Sequence, residues 1–217
     1  MPVPTLPAVI DLSLVAVALG SLLILRLAHG ALPWGHLMIA VGPDGRPMRP
    51  RVKWHLWSIS HGENPRLAAI GGLASVALGC AAAAALGPRL FDSVVHPVNS
   101  LATTMMIFTI AVSTVLVPLG LSVLIRATLD LAARRSSMVG LVVGMRRDAG
   151  VFGRSYRIAV QAGDKAMAKR LWADSFRVNR EIFDRLSPGD RVTVEYSPRL
   201  FYVYSMVLPE PLKKAAG

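Results

Sequence analysis

Leu67–Pro88 reads LAAIGGLASVALGCAAAAALGP, without one Asp, Glu, Lys or Arg, and Val94–Ile125 repeats that exclusion over a longer stretch. About 20 mostly apolar residues carry a helix across roughly 30 Å of hydrocarbon, so each stretch is long enough to span a bilayer. The chain as a whole is 53% hydrophobic, above the about 45–50% usual for soluble domains. That excess lies almost entirely before residue 126. The rest is mixed, charged and punctuated like a small soluble domain.

Working outward from these two stretches, a third apolar run covers Ala8–Leu27, where Asp11 and Arg26 flank an uncharged Leu12–Leu25. Charges so placed sit near opposite interfaces, where long side chains reach the headgroups. Predicted spans are therefore 8–27, 67–86 and 101–125. The N-terminus carries no Lys or Arg before its apolar run, so this run is expected to be a membrane span and not a cleaved secretory signal.

Charge sets the expected orientation. The 28–66 loop is +3, the 87–100 loop is neutral, and from Arg126 onward 17 Lys or Arg stand against 9 Asp or Glu. Basic loops stay on the cytoplasmic side. The N-terminus is then outside, the 28–66 loop inside, the 87–100 loop outside and the C-terminal domain cytoplasmic. Much of the +11 net charge is accounted for by this rule, without invoking nucleic acid. Cys80 is the only cysteine, which excludes a disulfide framework and a cysteine metal site.

Within the second span Gly71, Ser75, Gly79, Ala83 and Gly87 recur every four residues. Small residues on one helix face let a neighbouring backbone approach closely. The expected neighbour is this chain's own first or third span, with Ala16 and Gly20 of the first as a partner pair; the alternative is an oligomer face. In the third span Pro118 removes a backbone donor and frees the Thr114 carbonyl, predicting a bend, while Thr103, Thr104, Ser113 and Thr114 can satisfy backbone groups locally. No ionisable side chain occupies the middle of any span. This argues against a self-sufficient pump or coupled transporter.

The 28–66 loop interleaves His29, His36, His55 and His61 with Trp34, Trp54 and Trp57. None of the histidine pairs has the i, i+4 spacing of helical metal ligands and no acidic ligand accompanies them, so neither a metal nor a cofactor is expected. Trp34, Arg51, Lys53, Trp54 and Trp57 instead suit a membrane interface, with tryptophans at headgroup depth and cations against anionic lipid. Gly42–Gly45 reads as a turn and Pro47 and Pro50 prevent a continuous helix. The loop either hugs the membrane or packs under the C-terminal domain.

After Arg135 the pattern changes to alternation. Met138–Met145, Tyr156–Val160, Leu171–Val178, Arg191–Tyr196 and Phe201–Val207 each read as a strand, with Gly144–Gly153 as a basic, hairpin-like turn. Asn179 can cap a short helix to Leu186 whose Ile182, Phe183 and Leu186 form an apolar face. Ser187–Asp190 then turns into the fourth strand. The expected fold class is an α-helical membrane domain of three transmembrane helices followed by a small all-β barrel. Its parts are 1–135 for the membrane domain, 136–208 for the barrel and 209–217 for a tail.

Trp172 and Ala173, Phe183–Gly189, Arg191–Tyr196 and Leu200–Val203 carry a resemblance to the small OB- or SH3-like cytoplasmic barrels of the NfeD family, and to the bacterial membrane proteins of unknown function grouped as DUF3592. It covers under a third of the chain and transfers no catalytic residue. What it implies is a membrane-tethered interaction or scaffolding domain in a bacterial cytoplasmic membrane. Trp172, Arg177, Arg180, Tyr202 and Tyr204 are the candidate partner-binding residues; Tyr202 and Tyr204 share one strand face and Phe201 and Val203 the other, so at least one of these pairs belongs to the core. A protein partner is expected ahead of anionic lipid headgroups, and nucleic acid is not expected.

The domain contains no His and no Cys, no phosphate-binding loop and no nucleophile elbow, so no catalytic residue is assigned and no enzyme activity is expected. The reading is a scaffold, assembly factor or accessory subunit of a larger membrane complex, able to self-associate. A non-catalytic channel or transporter subunit is the alternative.

Overall fold

The computed structural model describes residues 6–27, 51–54, 59–95, 100–150, 153–162 and 172–208. They form two compact units. The first comprises residues 6–27 and 66–128, and the second residues 51–54, 59–65 and 129–208. The loop grouped above with the spans thus contributes its described residues to the second unit, and the boundary falls within a helix at residue 128, not at 135.

Three helices make the first unit: α1 (Leu6–Leu27), α2 (Pro65–Val95) and α3 (Ser100–Ala132). All three are long and apolar enough to cross a membrane, which makes this a multi-pass membrane protein. Helix α2 does not stop at residue 86. It continues through Pro88, Arg89 and Asp92, and α3 runs seven residues beyond Ile125 to Ala132.

Small residues set the α2–α3 contact, although not along the expected stripe. A Cβ on Gly72 would lie 2.8 Å from the Gly120 carbonyl oxygen and 2.9 Å from the Leu124 nitrogen; one on Gly79 would meet Val117 at 2.7 Å. Ser75 is buried between them and its hydroxyl donates to the Gly71 carbonyl at 2.8 Å. Gly71 itself faces Leu27 of α1, Ala83 is exposed and Gly87 has open space where a side chain would stand. The reason is geometric: a four-residue repeat drifts about 40° around a helix at each step, so a five-member stripe cannot stay against one neighbour. Gly72, Ser75 and Gly79 follow the i, i+3, i+7 path that does. Gly20 of α1 packs on Val112 and Leu116 of α3 rather than on α2.

Three hydroxyls of α3 bond to carbonyls of their own helix. Thr109 donates to Met105 O at 2.9 Å, Ser113 to Thr109 O at 2.8 Å and Thr114 to Ile110 O at 2.9 Å. Of the three acceptors, only the Ile110 carbonyl lies one turn before the Thr114 carbonyl that Pro118 releases.

The second unit is a six-stranded sheet in the order β1-β4-β3-β2-β5-β6. The strands are β1 (Arg51–Lys53), β2 (Ser136–Gly150), β3 (Gly153–Ala162), β4 (Trp172–Val178), β5 (Arg191–Tyr196) and β6 (Val203–Val207), with α4 (Arg180–Arg185) between β4 and β5. The five C-terminal strands are antiparallel, and β1 adds in parallel outside β4. No ladder joins β6 back to the other end of the sheet among the described residues, so the sheet is open.

Strand β2 is longer than the alternation suggested. Gly144–Gly150 extends it instead of turning, and the hairpin lies at Gly150–Gly153. Its first part pairs with β5 and its second with β3, with an irregularity between Val142 and Gly144. Gly140 sits where β3 passes so closely that a Cβ would strike the Gln161 backbone. On one face Val142, Ile158, Phe176, Val192 and Val194 are fully buried, and α4 closes over them with Phe183 and Leu186. Asn179 caps that helix as expected, its Oδ1 accepting from Ile182 N at 2.9 Å. The following turn is tied by Ser187 N to Asp190 Oδ2 at 2.7 Å, and Gly189 takes φ +100°, open to glycine.

Gly72→Leu is expected to cost about 1–3 kcal/mol through overpacking against the α3 backbone, whereas Gly87→Leu is expected to be neutral. Thermal unfolding of the two variants in detergent measures this; equal midpoints would contradict the packing path.

Candidate partner-binding groove

A cleft of about 540 Å³ opens on the sheet unit. One wall is the consecutive run Tyr202–Met206, and the other is Arg154–Tyr156 with Arg177–Arg180. Of the residues singled out from sequence, Arg177, Arg180, Tyr202 and Tyr204 all line it. Trp172 begins β4 opposite Arg51, and its side chain lies outside the described residues. Sequence reasoning missed Arg154, Tyr156 and Asn179. For the first two a signal existed, since Arg154 and Tyr156 alternate in phase on β3 and share one face.

The groove is basic. Three guanidinium groups, from Arg154, Arg177 and Arg180, line it and no carboxylate does. Arg180 reaches Asp184 one helical turn on, at 3.3 Å, with both groups largely exposed, where such a pair contributes little. From Arg177 a row of cations leads away from the groove: Arg146, Arg157 and Arg177 lie in cross-strand register on β2, β3 and β4. Like charges in that arrangement repel. Arg157 is buried, and burial above all, with Arg177 and Arg146 beside it, lowers its pKa while Asp148 opposes the change. It is held by its Nη1 donating to the Trp54 carbonyl at 2.7 Å and by Asp148 at 3.7 Å. Asp148 is shared with Arg146, so one carboxylate faces two of the three cations.

The tyrosines are fixed by the segment that carries them. Asp130, buried in the last turn of α3, accepts from Arg199 N at 3.1 Å and Leu200 N at 2.7 Å. Gly62 N donates to the Leu200 carbonyl, and Tyr202 N donates to Ser197 Oγ at 3.1 Å. Phe201 takes φ +56°, a left-handed conformation uncommon for a bulky residue. It persists because the ring is gripped by Phe176, Tyr196 and His61, at centroid distances of 5.9, 5.6 and 5.0 Å. With Phe201 turned into the core, Tyr202 and Tyr204 emerge in the groove. They meet edge to face at 5.1 Å, and the Arg135 guanidinium lies 4.5 Å above the Tyr204 ring. Burial, followed by the Asp130 carboxylate, raises the Tyr204 pKa.

The loop residues divide. His61 is buried and its Nε2 lies 3.0 Å from the Ser175 carbonyl oxygen, a structural contact that pins the loop to β4. Arg51 and Lys53 belong to β1, and Trp54 supplies the carbonyl that holds Arg157. His29, His36, His55, Trp34 and Trp57 lie outside the described residues. Among the described residues no group of His, Cys, Asp or Glu is placed to hold a metal ion. What the groove can do chemically is accept an anion through guanidinium forks and present phenol and amide donors.

Asp130→Ala would leave the Arg199 and Leu200 amides without their acceptor, and is expected to destabilise the sheet unit by about 1–3 kcal/mol. Asp184→Ala, on an exposed carboxylate, is expected to stay within about 0.5 kcal/mol of the parent. Denaturant unfolding followed by tyrosine fluorescence compares them. Against protein-family models, curated proteins and solved structures alike, the chain returns no match.

Proposed function

We propose that this chain is a membrane-anchored scaffold, assembly factor or accessory subunit of a larger membrane complex in a bacterial cytoplasmic membrane, and that its C-terminal open sheet is an interaction domain of the OB- or SH3-like kind facing the cytoplasm. The observation that carries this reading is the convergence of Arg177, Arg180, Tyr202 and Tyr204 on one groove. Arginine and tyrosine are, with tryptophan, enriched where protein interfaces concentrate their binding energy. The orientation rests on the basic 28–66 loop and the basic C-terminal part. The grouping of residues 51–54 and 59–65 with described residues of 129–208 in one compact unit fits the placement of both on one side, since two crossings by α2 and α3 return the chain to the side it left.

The three spans anchor the domain and pack by small-residue contacts, without an ionisable group at mid-span. The partners this reading requires are other membrane-protein subunits, with anionic headgroups against the basic surface.

Affinity purification of the tagged chain in mild detergent, with mass spectrometry of what accompanies it, tests the reading. Specific membrane-protein partners are expected, and Arg177→Glu with Tyr202→Ala should reduce their recovery about tenfold or more. A monodisperse monomer without companions would refute it. Ion conductance or solute flux from the purified chain alone in liposomes would favour a channel or transporter role instead.

A further inference from the structure

The walls of the groove are backbone edges as much as side-chain faces. Five consecutive residues, Tyr202–Met206, line one wall. In a strand successive side chains point to opposite faces, so a cavity touched by five in a row runs along the strand's edge. Among the described residues β6 pairs only with β5, which leaves the other edge of β6 without a strand. On the opposite wall Arg154 and Ser155 pair with β2, while the β3–β4 ladder begins at Tyr156. The groove therefore runs beside the outer edge of β6 and the start of β3 that precedes its ladder with β4, with Arg154, Arg177 and Arg180 among its lining residues.

We propose that this groove takes an extended, carboxylate-rich segment of a partner protein, which adds to β6 as a further strand and places its acidic side chains on Arg154, Arg177 and Arg180. This rests on the interaction-domain reading above and names what the groove receives. Main-chain pairing along an exposed edge supplies affinity in such complexes, and pockets for alternate side chains supply selectivity. The edge of β6 is about 17 Å long at 3.3 Å per residue, enough for a segment of about five residues.

Other ligands of the same charge fit less of the site. A lipid headgroup or free phosphate would satisfy the guanidinium groups and leave the β6 amides and carbonyls unpaired. Single-stranded nucleic acid stacks its bases on open aromatic faces. Here one face of Tyr204 carries the Arg135 guanidinium, and the ring meets Tyr202 at a right angle. The chain's own 209–217 segment carries Lys213 and Lys214 against Glu210, the wrong sign for an arginine-lined cleft.

The test uses the full chain in nanodiscs and fluorescence anisotropy of a short labelled peptide of alternating Glu and Val. Saturable binding is expected. Substituting Lys for Glu in the peptide, N-methylating alternate peptide amides, or making Arg154→Glu with Arg177→Glu in the chain should each weaken it about tenfold or more. The peptide changes are read on the unaltered protein, so a misfolded variant does not decide the matter. Absence of saturable binding, indifference to N-methylation, or stronger displacement by inorganic phosphate, oligothymidylate or anionic vesicles than by unlabelled peptide would overturn the proposal. Should partners copurify and resist excess peptide, the scaffold reading stands and this assignment of the groove falls.

Discussion

One long strand joins the two halves of the sheet. β2 pairs with β5 through Leu141 and with β3 from Gly140 onward, and the pairing shifts register between Val142 and Gly144. A bulge increases local twist and bends the strand that bears it. The two wings of the sheet, β3-β4-β1 and β5-β6, are thereby allowed to curve over the same apolar face. Valine and phenylalanine from both wings meet there. The groove is lined by residues of both wings, from β3 and β4 and from β6, and Gly140 is the point where β3 runs too close to β2 for a side chain to stand between them.

Around that groove the protein places rigid support. Asp130, Gly62 and Ser197 each bind backbone of the segment preceding β6, so the phenols of Tyr202 and Tyr204 are oriented by main-chain contacts and not by their own packing alone. Groups held this way lose little freedom when a ligand arrives.

Much of this was readable in the residues. Five C-terminal strands and the Asn179-capped helix follow from local rules, period-two alternation and an N-cap oxygen, which act over a few residues. Tyr202 and Tyr204 were separable from Phe201 and Val203 by parity. What was not readable depends on long-range geometry. The small-residue stripe was drawn at four-residue steps, and only the drift of a real helix shows that Gly72 replaces Gly71 in the α2–α3 contact. Gly144–Gly150 looked like a turn by composition, and the β3 partner that makes it a strand is supplied by the hairpin beyond it. Asp130 gave no local sign at all. Its acceptors' partners lie about seventy residues further along the chain.

The sheet is built from pieces made at different times. Val52 pairs with Ala173, and between them the ribosome must deliver two membrane helices. At about 5–20 residues per second of synthesis, β1 spends on the order of ten seconds without its neighbour. His61 and Gly62 wait as long for Ser175 and Leu200. A fragment beginning after α3 lacks that edge strand and both of those contacts, so the C-terminal region excised at its apparent boundary is an incomplete domain. Its assembly is tied, in time and in covalent order, to insertion of the helices that interrupt it.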